Sequence, residues 1–338
     1  MNMFTKSMLA GAIGLGLAGP VFADDENLKM ATIAPGTSPY LTMTTMATIV
    51  NQALEDVNIT VDATGAATKH MIEVAEGKLD MAMTSPTVYD FMKNGTFMYK
   101  ELPNAPEMAE NLKLVMWFPL GQYHFLTYAD SGIETAADFK GKKIFLGPPG
   151  GGAYVAAART VQFMSGYEAE KDYEPVNASW SSAAQGFQDR QFDIFASTGI
   201  APYPLVEQLA LTSKLRLIGL TKEEFEANTD FVNFIESTDG EEIGIIPAGS
   251  YGDGVVNEQD VYTLAATVGV TARADLDEDL VYRITKAFWE GADTEMATHP
   301  WLSEITKEIA VSDQGMQLHP GALKYYEEIG LDIPEGSR

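Results

Sequence analysis

The chain has 338 residues, of which 46% are hydrophobic and 21% are charged, and its net charge is −26. This length and composition predict a globular protein with enough core for two domains. The excess of acidic residues, 48 Asp and Glu against 22 Lys and Arg, repels phosphate backbones and argues against nucleic-acid binding. Cysteine is absent, which excludes disulfides, thiolate metal sites and cysteine nucleophiles.

Residues 1–23 have the pattern of an export signal. Lys6 supplies a positive charge, residues 8–17 form an apolar run, and Val21 and Ala23 place small side chains before a cleavage point. The run is shorter than the ~20 residues that span a bilayer, so a membrane anchor is the weaker alternative. We expect cleavage before Asp24 and a soluble, monomeric protein in the periplasm.

From residue 28 onward, short apolar strands alternate with amphipathic helices, which predicts α/β layers. Three strand–loop–helix units come first, and their loops are expected at the carboxyl edge of a parallel sheet, where such sheets bind ligands. Strands are then predicted at residues 112–118 and 123–128. A second series begins at residue 142, and a strand at residues 262–273 is expected to rejoin the first series.

This layout predicts two lobes with two chain crossings and a ligand cleft between them. Lobe I is expected to contain residues 24–128 and 255–338, and lobe II residues 129–254. A hinge is expected at each crossing, near residues 128–131 and 252–259.

Several short motifs follow one another along most of the chain. They include the loop at residues 34–40, the turn at 63–67, the entry to the second series at 138–144, the glycine-rich loop at 147–153, and residues 246–251 and 318–322. In this order they resemble the TAXI family of solute-binding proteins from tripartite ATP-independent periplasmic (TRAP) transporters.

The resemblance implies a Venus-flytrap, type II-like periplasmic-binding-protein fold and delivery of a solute to integral membrane TRAP permease subunits. It also implies a small carboxylate ligand, such as glutamate or 2-oxoglutarate. The sequence departs from the family pattern at Lys69-His70 and at Thr84-Ser85-Pro86. These departures leave the identity of the ligand open.

Candidate ligand contacts follow the predicted strands. Hydroxyl groups there can hydrogen-bond a polar ligand, although a residue such as Ser38 is equally suited to cap the next helix. The glycine-rich loop opens a helix whose free N–H groups attract an anion, and an ordinary tight turn is the alternative. The predicted contacts are Thr37, Ser38, Tyr40, Thr64, Gly65, Lys69, Thr84, Ser85, Tyr123, Gly150, Gly151, Gly152, Ala153, Tyr154, Thr198 and Gly199.

Positive charge is scarce in the first lobe, because the mature chain has no arginine before Arg159. Lys69, His70 and His124 are therefore the candidates to hold an anion there, together with backbone N–H groups. The alternatives are a solvated lysine and two structural histidines. Four aromatic residues near the loops are expected to wall the cleft or to pack in the core: Tyr123, Tyr154, Trp180 and Tyr203.

No catalytic motif, cofactor site or metal site is recognisable: the chain has neither Gly-x-Ser-x-Gly nor His-Glu-x-x-His. The sequence therefore predicts a receptor that captures a small, anionic solute for a TRAP permease. One alternative is a sensory protein that presents its solute to a receptor kinase. Another is an enzyme in which His70 or His124 acts as a general base beside Thr84 or Ser85.

Overall fold

The computed structural model describes residues 25–295 and 303–338. The predicted export signal and its cleavage point before Asp24 lie outside the described residues. The strands are β1 (Glu26–Ala31), β2 (Val57–Asp62), β3 (Met81–Thr84), β4 (Leu112–Tyr128), β5 (Lys143–Phe145), β6 (Glu174–Pro175), β7 (Ile194–Gly199), β8 (Leu215–Ile218), β9 (Glu241–Ile246) and β10 (Val261–Arg273).

The helices alternate with these strands through most of the chain. They are α1 (Ser38–Ala53), α2 (Ala67–Ala75), α3 (Pro86–Lys93), α4 (Ala105–Glu110), α5 (Gly152–Ser165), α6 (Trp180–Gln188), α7 (Pro204–Ala210), α8 (Lys222–Ala227), α9 (Thr229–Ser237), α10 (Glu278–Glu295), α11 (Lys307–Ala310) and α12 (Pro320–Glu328). The three predicted strand–loop–helix units are confirmed as β1–α1, β2–α2 and β3–α3, and β1 pairs in parallel with both β2 and β3.

The described strands form one curled sheet in the order β2-β1-β3-β10-β4-β7-β5-β6, with β8 beside β4 and β9 beside β10. Strand β4 is continuous, which corrects the prediction of separate strands at 112–118 and 123–128. A glycine makes this possible: Gly121 has φ +98°, and a β-carbon there would lie 2.2 Å from the backbone of Gly199. The chain therefore passes through this point without a loop.

Both long strands change partners along their length. The first part of β4, up to Pro119, pairs with β10, and from Gln122 onward β4 pairs with β7. Strand β10 pairs with β9 up to Ala266 and with β4 from Thr267 onward. The two changes lie side by side in the sheet, because Thr267 is opposite Pro119.

The hydrophobic core divides at the same place. One cluster runs from Leu28 to Leu120 and from Val268 to Ile333, whereas the clusters of the intervening chain run from Tyr123 to Leu264. We call residues 25–120 and 268–338 the first half and residues 123–264 the second half. The border between the core clusters lies inside β4 and β10, whereas the lobe boundaries predicted from the sequence are 128/129 and 254/255.

Two helix starts show how the sequence fixes the loops. The hydroxyl of Thr37 accepts a hydrogen bond from the N–H of Tyr40 and caps α1, so the cap is Thr37 and not Ser38. Ser85 caps α3 through the N–H of Val88. In both helices a proline follows in the first turn, where its missing N–H costs nothing.

Within residues 25–295 and 303–338, no helix is long and apolar enough to cross a membrane. The same residues contain no group of three or more His, Asp or Glu side chains placed to hold a metal ion.

Candidate functional site

A pocket of about 760 Å³, part of it open to solvent, lies where the two halves meet. Its floor is the place where the long strands change partners, since Leu120, Tyr123 and residues 266–268 line it. The first half adds the starts of α2 and α3, and the second half adds the start of α5 together with Trp180 and Thr198. Both halves therefore build one site.

The walls of the pocket touch each other at their rims. A β-carbon on Gly152 would lie 2.6 Å from Cγ2 of Val88 across the junction. The hydroxyl of Tyr203 donates a hydrogen bond to the carbonyl of Gly36 at 3.2 Å, and this contact also joins the halves. The two halves are thus closed on the pocket.

Arg159 adds a third contact between the halves. Its guanidinium lies 5.4 Å from the ring centroid of Phe97 in the first half and 5.5 Å from that of Phe234 in the second half. This side chain extends from α5 toward the junction, so it belongs to the closed interface and does not line the pocket.

Two helices begin at the pocket without a side-chain cap. Ala66 precedes α2 and Gly151 precedes α5, and neither has a side chain that can accept a hydrogen bond from the first turn. Ala66, Ala67, Gly152 and Ala153 line the pocket. The N–H groups at a helix start carry about half a positive charge. These small residues therefore leave two sources of positive potential open to a ligand.

Apart from these helix starts, the lining is mostly apolar. Ile33, Met83, Val88, Leu120 and Val268 supply aliphatic and thioether surface. No lysine, arginine or histidine is among the lining residues that the structure describes. Burial raises the pKa of Tyr123 well above its usual value, so this phenol is neutral.

Glu241 is the one residue of this lining with a formal charge. Its Oε1 accepts a hydrogen bond from the hydroxyl of Thr87 at 3.3 Å, whereas its Oε2 is shielded from solvent and has no partner. Burial raises the pKa of Glu241 to about 7, against the opposing effects of the Thr87 hydrogen bond and the positive charge of Arg159. The nearby charge of Glu242 raises it further.

Several of the predicted contacts meet at this pocket. Ser85 lines the pocket and also caps α3. A hydroxyl after a strand was expected either to contact the ligand or to cap the next helix, and the position of Ser85 allows both. Thr198 is opposite Tyr123 in the pairing of β4 with β7. The predicted contacts in the lining are Ser85, Tyr123, Gly151, Gly152, Ala153 and Thr198, and Trp180 joins them.

The other predicted hydroxyl contacts lie outside the lining. Thr37 and Thr64 make local hydrogen bonds, to the carbonyl of Ala34 at 2.8 Å and to the carboxylate of Asp62 at 2.8 Å. Thr84 is fully buried and donates to the sulfur of Met71. Ser38 and Tyr40 lie in the first turn of α1 and are not among the lining residues.

The remaining predicted glycines lie outside the lining, at positions where the backbone conformation or a close contact requires glycine. Gly65 and Gly150 have φ of +82° and +74°, which suits the turns before α2 and α5. Gly199 leaves room for the ring of Tyr203, which would lie 2.3 Å from a β-carbon at position 199. Tyr154 is also outside the lining.

Lys69 does not reach the pocket. Its ammonium pairs with Glu73 at 3.2 Å one turn along α2, and its side chain is 72% exposed. A lysine in the first turn points outward here, because the inward face of α2 is occupied by buried residues such as His70 and Met71.

The two histidines are buried parts of the scaffold. His70 lies against the turn at Gly65, and burial lowers its pKa. His124 is fully buried, with Nδ1 2.9 Å from the carbonyl of Gln122 and Nε2 2.6 Å from the hydroxyl of Tyr251. Burial lowers the pKa of His124 to about 4, so its ring is neutral. Neither ring is among the pocket-lining residues.

Sequence reasoning missed the group with the most unusual environment. Glu241 begins a strand next to Glu242, and a pair of acids at a strand start is typical of a solvated edge. Thr87 and residues 266–268 were also missed, because their place in the lining depends on β10 crossing the junction. The one signal available was the long apolar strand at 262–273. It predicted that the chain crosses between lobes but not which residues there line the pocket.

The fold and the pocket together define a two-lobe binding protein of the α/β class. The chain belongs to the NMT1-like family, whose model matches residues 30–330.

Three solved structures are similar to this chain over most of its length. The alkanesulfonate-binding protein of Xanthomonas axonopodis pv. citri bound to MOPS has a TM-score of 0.50 at 15% identity, and the match covers 92% of this chain and 81% of that chain. The ectoine-binding protein of a TRAP transporter from Halomonas elongata matches with a TM-score of 0.45 at 15% identity over 90% of each chain. A TRAP solute-binding protein from a Sulfitobacter species with bound β-D-galacturonate has a TM-score of 0.47 at 10% identity, covering 91% and 88%.

The predicted two-lobe periplasmic-binding-protein fold, with its two crossings and the cleft between lobes, is confirmed. Strands β4 and β10 connect the core clusters of the first and second halves.

Proposed function

We propose that this protein is an extracytoplasmic receptor that closes its two halves around a small organic solute. The observation that carries the proposal is the pocket at their junction, because its lining comes from both halves and its rims are in contact. A ligand bound there contacts both halves at once. It therefore stabilises the closed arrangement over any open one.

The helix starts support a solute with an anionic group. No cationic side chain lines the described pocket, so an anion must be held by backbone N–H groups. The uncapped starts of α2 and α5 supply them from opposite halves. A carboxylate, the ligand class that the sequence resemblance implies, fits this arrangement. The apolar lining favours a carboxylate with an apolar body over a strongly hydrated one.

The cellular role is part of the same proposal. The motif order that resembles the TAXI family supports delivery to the integral membrane subunits of a TRAP permease. Residues 1–23 support export through a cleaved signal. The lobes are proposed to be the two halves defined by the cores, so that the hinge lies inside β4 and β10.

The test begins with the solute itself. Protein purified from the periplasm without added ligand is denatured, and the released small molecules are identified by mass spectrometry. Affinity for the identified compound is then measured by calorimetry, and closure by X-ray scattering. We expect tight binding of one compound and a smaller radius of gyration in its presence.

A variant of the junction sharpens this test. Gly152→Val places a side chain where even a β-carbon lies 2.6 Å from Val88, so it should hold the halves apart. We expect at least a tenfold loss of affinity. Ala137→Val, on an exposed residue of the second half, is the control and should bind as the unaltered protein does. Equal affinity of both variants, with no change in scattering on adding solute, contradicts the proposed function.

A further inference from the structure

The Oε2 atom of Glu241 is a hydrogen-bond acceptor without a donor. It exposes less than 1 Å² to solvent and has no hydrogen-bond partner in the described structure, although the residue as a whole is partly exposed. Glu241 begins β9 opposite Ala266, which also lines the pocket. A buried carboxyl oxygen without a partner is costly, so its persistence calls for an explanation.

The neighbouring side chains do not supply a hydrogen-bond donor to Oε2 of Glu241. The hydroxyl of Thr87 occupies Oε1, and Glu242 is engaged by the hydroxyl of Thr267 at 2.9 Å. Arg159 contributes positive potential but forms no ion pair with Glu241, because its guanidinium lies between the rings of Phe97 and Phe234. Tyr123 is neutral. Among residues 25–295 and 303–338, no charged side chain forms a hydrogen bond with Oε2 of Glu241.

We propose that Glu241 is a specificity-determining residue whose Oε2 accepts a hydrogen bond from a protonated amino group on the bound solute. The inference rests on the proposed function, since it assumes that the pocket binds a solute. A cation there gains a charged hydrogen bond and also restores the ionised form of a carboxyl that burial disfavours. The anionic group of the same solute lies at the helix starts. The solute is therefore an amino acid or a related zwitterion.

The opposite arrangement, in which Glu241 stays protonated and donates to a carboxylate, predicts a different pH dependence. The pKa of Glu241 is about 7 without ligand, so a cation that binds the ionised form gains affinity as the pH rises from 6 to 8. A carboxylate that needs the protonated form loses affinity over the same interval. The groups around Glu241 are the same whether the ligand presents a cation or a carboxylate, so the direction of the pH dependence distinguishes the two. These groups are Arg159, Glu242, Tyr123 and Thr87.

The experiment compares amino compounds with their deaminated counterparts. Common L-amino acids are paired with the matching 2-oxo acids, including leucine with 4-methyl-2-oxopentanoate, phenylalanine with phenylpyruvate and glutamate with 2-oxoglutarate. Affinities are measured by calorimetry at pH 6, 7 and 8. We expect at least one amino acid to bind ten times more tightly than its 2-oxo partner and to bind more tightly at pH 8 than at pH 6.

Two variants separate the role of Glu241 from a general loss of negative charge. Glu241→Gln should weaken binding of that amino acid at least tenfold and remove the rise of affinity with pH. Glu236→Gln removes an exposed carboxylate of α9 that is not among the pocket-lining residues, and should change affinity less than threefold. The thermal midpoint of each variant, measured by circular dichroism, shows that both are folded.

Three results overturn the inference. The first is a 2-oxo acid that binds as tightly as its amino partner, and the second is tight binding that Glu241→Gln leaves intact; both leave solute capture standing and remove only the role of Glu241. The third is the failure of every amino acid to bind while the solute recovered from the periplasm has no amino group. The recovery of a solute supports the proposed function in each case.

Discussion

The second half contains two buried ionisable groups that behave in opposite ways. His124 is completely buried, and both of its ring nitrogens have partners: the carbonyl of Gln122 and the hydroxyl of Tyr251, which also accepts from the N–H of Tyr203. Glu241 has one oxygen engaged by Thr87 and one oxygen without a partner. The first group lies in the scaffold, and the second faces a pocket.

The difference shows how to separate structural from functional polar residues in this protein. A buried group whose hydrogen bonds are all made within the chain stabilises the fold and has nothing left to offer a ligand. A buried acceptor that lacks a partner and also belongs to a pocket lining, as Oε2 of Glu241 does, is available to a ligand. Three measurements test this distinction.

The largest effect is expected from His124→Phe. This substitution removes both ring hydrogen bonds and leaves the Gln122 carbonyl and the Tyr251 hydroxyl with a lost partner inside the core. The free energy of unfolding should fall by about 2–4 kcal/mol, as for buried polar groups that lose their partners. Urea denaturation at pH 7 measures it. Affinity for the solute should change little, because His124 does not line the pocket.

A double variant provides the control for His124. Adding Tyr251→Phe removes the hydroxyl that the first substitution orphans, so the double variant should lose less than the sum of the two single losses. Additive losses would show that the two rings do not act together and would weaken the comparison.

Glu241→Gln should change the pH dependence of stability. The pKa of this carboxyl is about 7 in the folded protein against an ordinary 4.5, so the folded state holds more protons between these values. The free energy of unfolding of the unaltered protein therefore contains a part that falls as the pH rises from 4.5 to 7, by at most about 1.4 kcal/mol per pH unit. That part is fully present below pH 4.5 and is lost above pH 7.

The measurement is urea denaturation of both proteins at pH 5, 6, 7 and 8. Subtracting the two curves cancels the other titrating groups, and the stability of Glu241→Gln relative to the unaltered protein should rise with pH and level off above 7. A difference that is flat, or that falls with pH, would mean that Glu241 is not a buried carboxyl.

The smallest effect is expected from Lys69→Ala. The pair with Glu73 is a surface contact between residues four apart on a helix, and such pairs contribute about 0.3–0.5 kcal/mol. Affinity for the solute should change less than about twofold, measured by calorimetry beside Glu241→Gln. A tenfold loss would restore Lys69 as a ligand contact, as the sequence alone predicted, and would place the site elsewhere.

Much of the fold could be predicted, because its signals are local. Alternating strands and helices, proline after a capping hydroxyl, and the late apolar strand are all visible over a few residues. The continuity of β4 was not, because it depends on the close approach of Gly121 to Gly199, which are far apart in sequence.

The site was only partly predictable. The glycine-rich loop and Ser85 were found because a loop after a strand is where such sheets bind ligands. Lys69 was chosen by charge, yet the pocket uses backbone N–H groups for positive potential. Glu241 was missed because burial, which makes a carboxyl unusual, is a property of the whole fold.

The division of the first core between the two ends of the chain also governs the order of folding. Residues 28–120 cannot complete their core until residues 268–333 have been synthesised, whereas the second half is one continuous stretch. Contacts of such long range make folding slow, because the chain must close a large loop before they form. A newly made chain thus remains incompletely folded until residues 268–333 are available to complete the first core.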